Sequence, residues 1–196
     1  MAVVTAPAPP AAPSDEQLLA RFAGGDRAAL EDLFRRYRGV AYRVAYRLLG
    51  HEADALDAVQ EGFVKALTHL DAFQGRSAFK TWLLRIVSNA ALDLGRQRGR
   101  REVLSLEAVT ADEPEPPRPA DDPARGLHRA DLRRLLDEAL GHLPAAQRQT
   151  FVLHVDGELS YREVARALGI SIGTVMSRLF YARRKLRGYL DRVWTP

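Results

Sequence analysis

DALDAVQEGFVKALTHL, residues 54–70, and SAFKTWLLRIVSNAALDLGRQRGRR, residues 77–101, decide how the chain is read. Both carry apolar residues at helical rather than alternating spacing, so each is expected to form an amphipathic helix. At about 100° per residue, Leu56, Val59, Phe63, Leu67 and Leu70 gather on one arc of the first. Asp54, Asp57 and Glu61 fall opposite, with Gln60 between the two faces. A fold requires the apolar stripe but not three carboxylates turned to water with only Lys65 nearby. Taken alone, such a face is an ordinary solvated surface. In the second helix Ser77 is the expected N-cap. Phe79, Leu83, Ile86, Val87, Ala90 and Leu94 have core spacing, while Trp82, Arg85, Asn89, Asp93 and Arg96 recur on another face. An aromatic plane, an amide and guanidinium groups can stack on a base, read its edge and hold phosphates. Singly, Trp82 reads as a core residue and Asn89 as a solvated one. Arg96, Arg98, Arg100 and Arg101 then form a cationic run suited to a polyphosphate backbone.

Toward the N-terminus, residues 1–13 are rich in Ala and Pro and are expected to be a disordered tail. Ser14-Asp-Glu-Gln17 has the form of a capping box opening a short helix, Asp15–Ala23. Gly24-Gly25 ends that helix, and Asp26 caps the next, which runs to about Leu49 with Leu30, Leu33, Phe34, Tyr37, Ala41, Val44 and Leu48 on its apolar face. Gly50 is the expected stop. Downstream, residues 102–125 hold seven acidic and two basic residues and five prolines, which predicts an extended linker. The whole chain has a net charge of +4; without that segment 27 basic and 18 acidic residues remain, a net charge of +9. Basic domains joined by an acidic segment suit a nucleic-acid binder.

Residues 126–196 are expected to form a second domain. Pro144 opens a helix over Ala145–Val155, and SYREVARALGISIGTVMSRLFYARRKLRGYL, residues 160–190, has helix-turn-helix form. Gly169 permits the turn and Ser171 caps the second helix. Val175, Leu179, Ala182 and Leu186 fall within roughly one 60° arc of it. Gly173, Thr174, Ser177, Phe180, Tyr181 and Arg184 point broadly away. From Ser171 to Arg187 there are five basic residues and no acidic one, as suits a helix for the major groove.

DALDAVQEGF, AFKTWLLRIVSNAALD and the basic end together resemble region 2 of the sigma-70 family of transcription initiation factors, most closely its short extracytoplasmic-function (ECF) group. LPAAQRQTFVLHVDGELSY and the helix-turn-helix that follows it resemble region 4. The resemblance implies an all-α fold, with region 2 over residues 14–101 and region 4 over 126–196. It implies that Asp54, Asp57, Gln60 and Glu61 bind core RNA polymerase at the clamp of the largest subunit, and that region 4 meets the flap of the second-largest. It assigns Phe73, Phe79, Trp82, Arg85, Asn89, Asp93 and Arg96 to the minus-ten element. It assigns Ser171, Thr174, Met176, Ser177, Arg178, Phe180, Tyr181, Arg183 and Arg184 to the minus-thirty-five element. Promoter DNA is a further implied partner, as is an anti-sigma factor. Three departures stand out. Met176 and Tyr181 occupy positions where many relatives carry a basic residue, and Trp82 is followed by Leu83 where housekeeping members have paired tryptophans.

Other classes fit less well. Cysteine is absent and the five histidines are scattered, so neither a disulfide nor a metal set is expected, and no cofactor. His51-Glu52-x-Asp54 reads as helix capping. No nucleophile–base set or phosphate-binding glycine loop points to an enzyme. No apolar run is long enough for membrane insertion and no signal pattern opens the chain, so a cytoplasmic location is expected. A polymerase-independent helix-turn-helix regulator is the remaining alternative.

Overall fold

The computed structural model describes residues 12–70, 73, 75, 77–106 and 134–193, with side chains of 100–106 left aside. Eight helices are described: α1 (Asp15–Ala23), α2 (Arg27–Leu49), α3 (Glu52–Thr68), α4 (Phe79–Leu106), α5 (residues 134–141), α6 (Ala145–Val155), α7 (Tyr161–Leu168) and α8 (Ile172–Val193). No strand occurs among the described residues, in line with the all-α expectation. The N-terminal tail up to residue 11 and the linker from 107 lie outside the described residues. α4 itself runs on to Leu106, past the point at which the linker was expected to begin. The chain divides into two compact units, Met1–Arg38 and Gly39–Pro196.

In the first unit the capping box forms as the sequence predicts. Ser14 Oγ accepts from the Gln17 N–H, and Gln17 Oε1 accepts from the Ser14 N–H. Asp26 Oδ1 caps α2 through the Ala28 N–H at 3.0 Å. The Tyr37 hydroxyl and Arg36 both donate to the Asp15 carboxylate. Burial, and then the bond to Asp15, push the Tyr37 phenol well above its ordinary range. Phe34, expected in the core, is instead 41% exposed.

In the second unit α3 packs on α4 through small residues. Ala55, Ala58, Val59, Gly62, Phe63 and Ala66 are the buried positions of α3. Leu56, placed in the apolar stripe by wheel arithmetic, is 53% exposed. The physical reason is close approach. A Cβ at Gly62 would stand 2.6 Å from Val87 Cγ2, so the buried face is the one whose side chains are short, and the stripe is rotated off Leu56. α4 also begins one residue later than expected. Its first bond runs from the Trp82 N–H to the Ala78 carbonyl, so Ala78 rather than Ser77 stands at the cap position. Phe79 is thereby the first helical residue and joins Phe73 and Trp82 in one aromatic cluster.

The helices α5 to α8 build their own core. Ala139, Leu140 and Leu143 pack on Ala182 and Leu186, with Leu136, Phe151 and Tyr189 at the margin. Gly169 adopts φ +64° at the end of α7, where a turn into α8 is needed, and Ser171 Oγ caps α8 through the Thr174 N–H. Ser160 and Glu163 form a reciprocal capping box on α7. This bundle does not stand apart from the earlier helices, for α6 and α7 pack on α4 within the same unit.

Candidate functional site

Three surfaces carry the residues singled out in the sequence. On α3, Asp57, Gln60 and Glu61 are exposed, and Glu61 pairs with Lys65 one turn on. Asp54 stands apart from them: it is half-buried and holds Arg98 of α4 at 2.7 Å. Leu56 and Val64, both 53% exposed, flank Gln60 at four-residue steps. The face is therefore a mixed apolar and acidic stripe. Hydrophobicity alone assigned Leu56 to the core, yet the spacing 56, 60, 64 was a signal that could have placed it beside Gln60.

The second surface lies on α4. Phe79 and Trp82 are buried, at 3% and 7% exposure, and Phe73 is half-buried against them. Neither the Phe79 nor the Trp82 ring offers a free stacking face in this conformation. Arg85, Asn89, Asp93 and Arg96 are exposed along the helix, and Asp93 pairs with Arg96 at 2.6 Å. Arg85, Asn89 and Asp93 line a cleft of about 490 Å³ whose opposite wall is Arg166, Ala167, Leu168 and Gly169 of α7. Asn89 also has a partner that the sequence does not reveal. Gln149 of α6 donates to Asn89 Oδ1 at 3.0 Å and to Ser88 Oγ at 3.1 Å.

The third surface is the outer face of α8. Val175, Leu179, Ala182 and Leu186 are the buried positions, as the arc predicts. Met176, Phe180 and Tyr181 are 55%, 60% and 45% exposed, and Ser171, Ser177, Arg183 and Arg184 are exposed with them. Thr174 and Arg178 are half-buried. Arg184 lies over the Tyr181 ring, 5.4 Å from its centroid, and Phe180 meets the same ring edge-on. Arg183 reaches the Tyr161 hydroxyl at 3.5 Å. The helix thus offers aromatic rings backed by guanidinium groups.

Comparison with known sequences follows this division of the chain. The family profile for Sigma-70 region 2 matches residues 19–101, and that for Sigma-70 region 4 matches residues 133–186. The ECF RNA polymerase sigma-E factor of Haemophilus influenzae is 32% identical over 182 residues, covering 91% of this chain and 96% of that protein. The chain belongs to the sigma-70 family, in its ECF group. The ECF RNA polymerase sigma factor SigE of Mycolicibacterium smegmatis is 38% identical over 173 residues, covering 87% of this chain and 66% of that one. Among solved structures, CnrH in complex with the cytosolic domain of CnrY superposes with a TM-score of 0.69 at 29% identity, over 92% of this chain and 99% of that one. The sigma factor RpoE of Bartonella quintana, solved with the anti-sigma factor NepR, gives 0.62 at 30% identity, over 84% and 99%. In this ECF factor α1 to α4 carry the region 2 match, and α5 to α8 carry region 4. No group of acidic and histidine residues that could hold a metal occurs among the described residues. No described helix is long and apolar enough to cross a membrane.

Proposed function

We propose that this ECF sigma factor binds core RNA polymerase and directs promoter-specific transcription initiation. The two sigma regions, matched in order on one helical chain, carry this reading. Asp57, Gln60 and Glu61, with Leu56 and Val64 beside them, form the surface for the clamp of the largest subunit, where carboxylates meet basic residues around an apolar contact. Asp54 contributes by holding α4 through Arg98 rather than by reaching outward. Arg85, Asn89, Asp93 and Arg96 receive the melted minus-ten strand, and Phe73, Phe79 and Trp82 form the aromatic base beneath them. Ser171, Thr174, Met176, Ser177, Arg178, Phe180, Tyr181, Arg183 and Arg184 hold the minus-thirty-five duplex, with the flap of the second-largest subunit behind region 4. The protein acts in the cytoplasm, its chemistry is that of the polymerase, and it is held in check by an anti-sigma factor.

Transcription in vitro with core polymerase and genomic fragments tests the reading; absence of any sigma-dependent transcript, with the chain bound to core, would overturn it. The melting role is tested at Asn89. Capturing an extruded base offsets an unstacking cost of a few kcal/mol, so Asn89→Ala depresses strand opening several-fold. Polymerase binding and upstream duplex binding stay intact. The defect shrinks on a template mismatched over the minus-ten element, as permanganate footprinting of unpaired thymines reads out. Equal opening on the duplex template by the variant and the wild type would remove Asn89 from the melting step.

A further inference from the structure

Arg148 of α6 is half-buried, and its Nε is wholly buried without a hydrogen-bond partner among the described residues. Burial alone pulls its guanidinium below the ordinary arginine range, with no carboxylate to oppose it. Arg36 and Arg47 are also largely withdrawn from water, but they hold carboxylates: Arg36 that of Asp15, and Arg47 those of Asp137 and Asp156. A desolvated charge without a counter-charge is costly, so its presence points to an anion that the chain does not itself supply. Arg148 lines a cavity of about 540 Å³, walled by residues 48–51, by α4 and by the start of α6. Asp54 is the one carboxylate among its described lining residues, and Arg98 already takes it at 2.7 Å. Ala145, the first residue of α6, stands on the same wall, and Pro144 before it gives no side-chain cap. The positive end of α6 therefore adds to the charge of Arg148.

Two glycines keep the cavity open. Gly95 and Gly99 lie one turn apart on α4, and both line it. Glycine is a poor residue for a helix interior, and neither position has the positive φ that would call for it. Close packing does not require Gly99 either, since a Cβ there would meet nothing within 4 Å beyond its own helix. What the missing side chain leaves is space within the cavity. Leu48, Leu49 and Leu92 supply an apolar floor. From this geometry we infer that the cavity binds a small organic phosphate of nucleotide size, its phosphate oxygens on Arg148 and the first N–H groups of α6, its apolar part on the three leucines. The volume suits such a ligand, for small-molecule sites span roughly 300–1,000 Å³ and combine apolar lining with a few placed polar groups. A duplex backbone would need an open groove rather than a cavity walled on three sides. The site stands independently of the promoter assignments.

Calorimetric titration of the full chain with ADP, pyrophosphate and adenosine tests the site. ADP is expected to bind at sub-millimolar concentration, pyrophosphate about tenfold more weakly for want of an apolar part, and adenosine not measurably in the same range. Two variants localise the binding. Arg148→Met keeps much of the side-chain volume and removes the charge. Gly99→Leu fills the cavity and favours the helix. Each is expected to weaken ADP tenfold or more with helical content unchanged. Saturating ADP should raise the Tm of the wild type and not that of either variant. No heat from ADP and pyrophosphate alike would overturn the inference, as would ADP affinity unmoved by both variants. Adenosine bound as tightly as ADP would remove the phosphate contact and the proposal with it. A fall in Tm for Arg148→Met at unchanged ADP affinity would make Arg148 a structural residue. If both variants lose affinity for a short duplex oligonucleotide while ADP does not bind the wild type, the site belongs to a nucleic-acid backbone and the small-ligand reading falls.

Discussion

A single hydrogen atom at Gly62 sets how closely α3 lies on α4. An added methyl would meet Val87 Cγ2 at 2.6 Å and its Cα at 3.1 Å, and Val87 is fully buried and β-branched, so it cannot swing aside. Helix propensity favours alanine over glycine by about 1 kcal/mol, and overpacking costs roughly 1–3 kcal/mol. With backbone in the contact the clash prevails, and Gly62→Ala is expected to lower the urea midpoint at unchanged m-value; a raised midpoint would show that the helices separate freely. At Asp57 and Glu61 the opposite holds. Both side chains are exposed, and the Glu61–Lys65 pair is a surface pair worth only about 0.3–0.5 kcal/mol. Asp57→Lys with Glu61→Lys should therefore leave the midpoint nearly fixed while weakening affinity for core polymerase tenfold or more. Undiminished affinity in the folded double variant would remove this face from the docking surface.

At the scale of the element, α8 separates its two tasks by side. Its buried row holds region 4 together, and its outer row carries Tyr181 and Arg184 in one cation–π pair. Changing either outer residue to alanine is expected to weaken upstream promoter binding without altering the affinity for polymerase. The two should differ in kind. Loss of an Arg184 phosphate contact lowers affinity across all sequences and reduces the salt dependence by about one ion. Loss of a Tyr181 base contact relaxes preference at one position. Footprints of unchanged strength from both variants would move the recognition face elsewhere. Met176 and Tyr181 place an apolar and a phenolic group on the exposed face of this helix, so the share of its affinity that they supply should not vanish with salt.

Over the molecule as a whole, Arg47 ties the region 2 helices to the region 4 helices. It joins α2 to Asp137 on α5 and, at 3.3 Å, to Asp156 in the turn after α6, all three side chains being mostly buried. Burial pushes the Asp156 carboxyl up against the opposing pull of Arg47. Without Arg47 that carboxylate is left buried and unpaired, and Arg47→Ala is expected to cost about 1–3 kcal/mol at neutral pH. The sign of the pH dependence follows from the raised Asp156 pKa. A group that binds its proton more tightly in the folded state opposes folding more as pH rises through that pKa, and less as pH falls. The deficit in Tm of the variant should thus be largest near pH 7 and shrink as Asp156 protonates. A deficit that is constant, or that grows in acid, would show that Arg47 acts through packing alone.

The sequence by itself determined the helices, most of their ends and the buried side of α8. These depend on neighbours in the chain: a 3.6-residue period, a serine hydroxyl three residues before an N–H, a glycine where φ must be positive. Sigma regions 2 and 4 were legible for the same reason, since their motifs are local. What depended on close approach was not legible. Hydrophobicity placed Leu56 inside, but the short side chains at Ala55, Ala58, Gly62 and Ala66 let α4 come near and left Leu56 at the surface. Phe79 had core spacing and is buried as expected, whereas Trp82, which recurred on the other face, is drawn into the same core against Phe73 and Phe79. The partner of Asn89 is Gln149, 60 residues away. No periodicity encodes such a pairing, because it arises only when two separately folded helices meet.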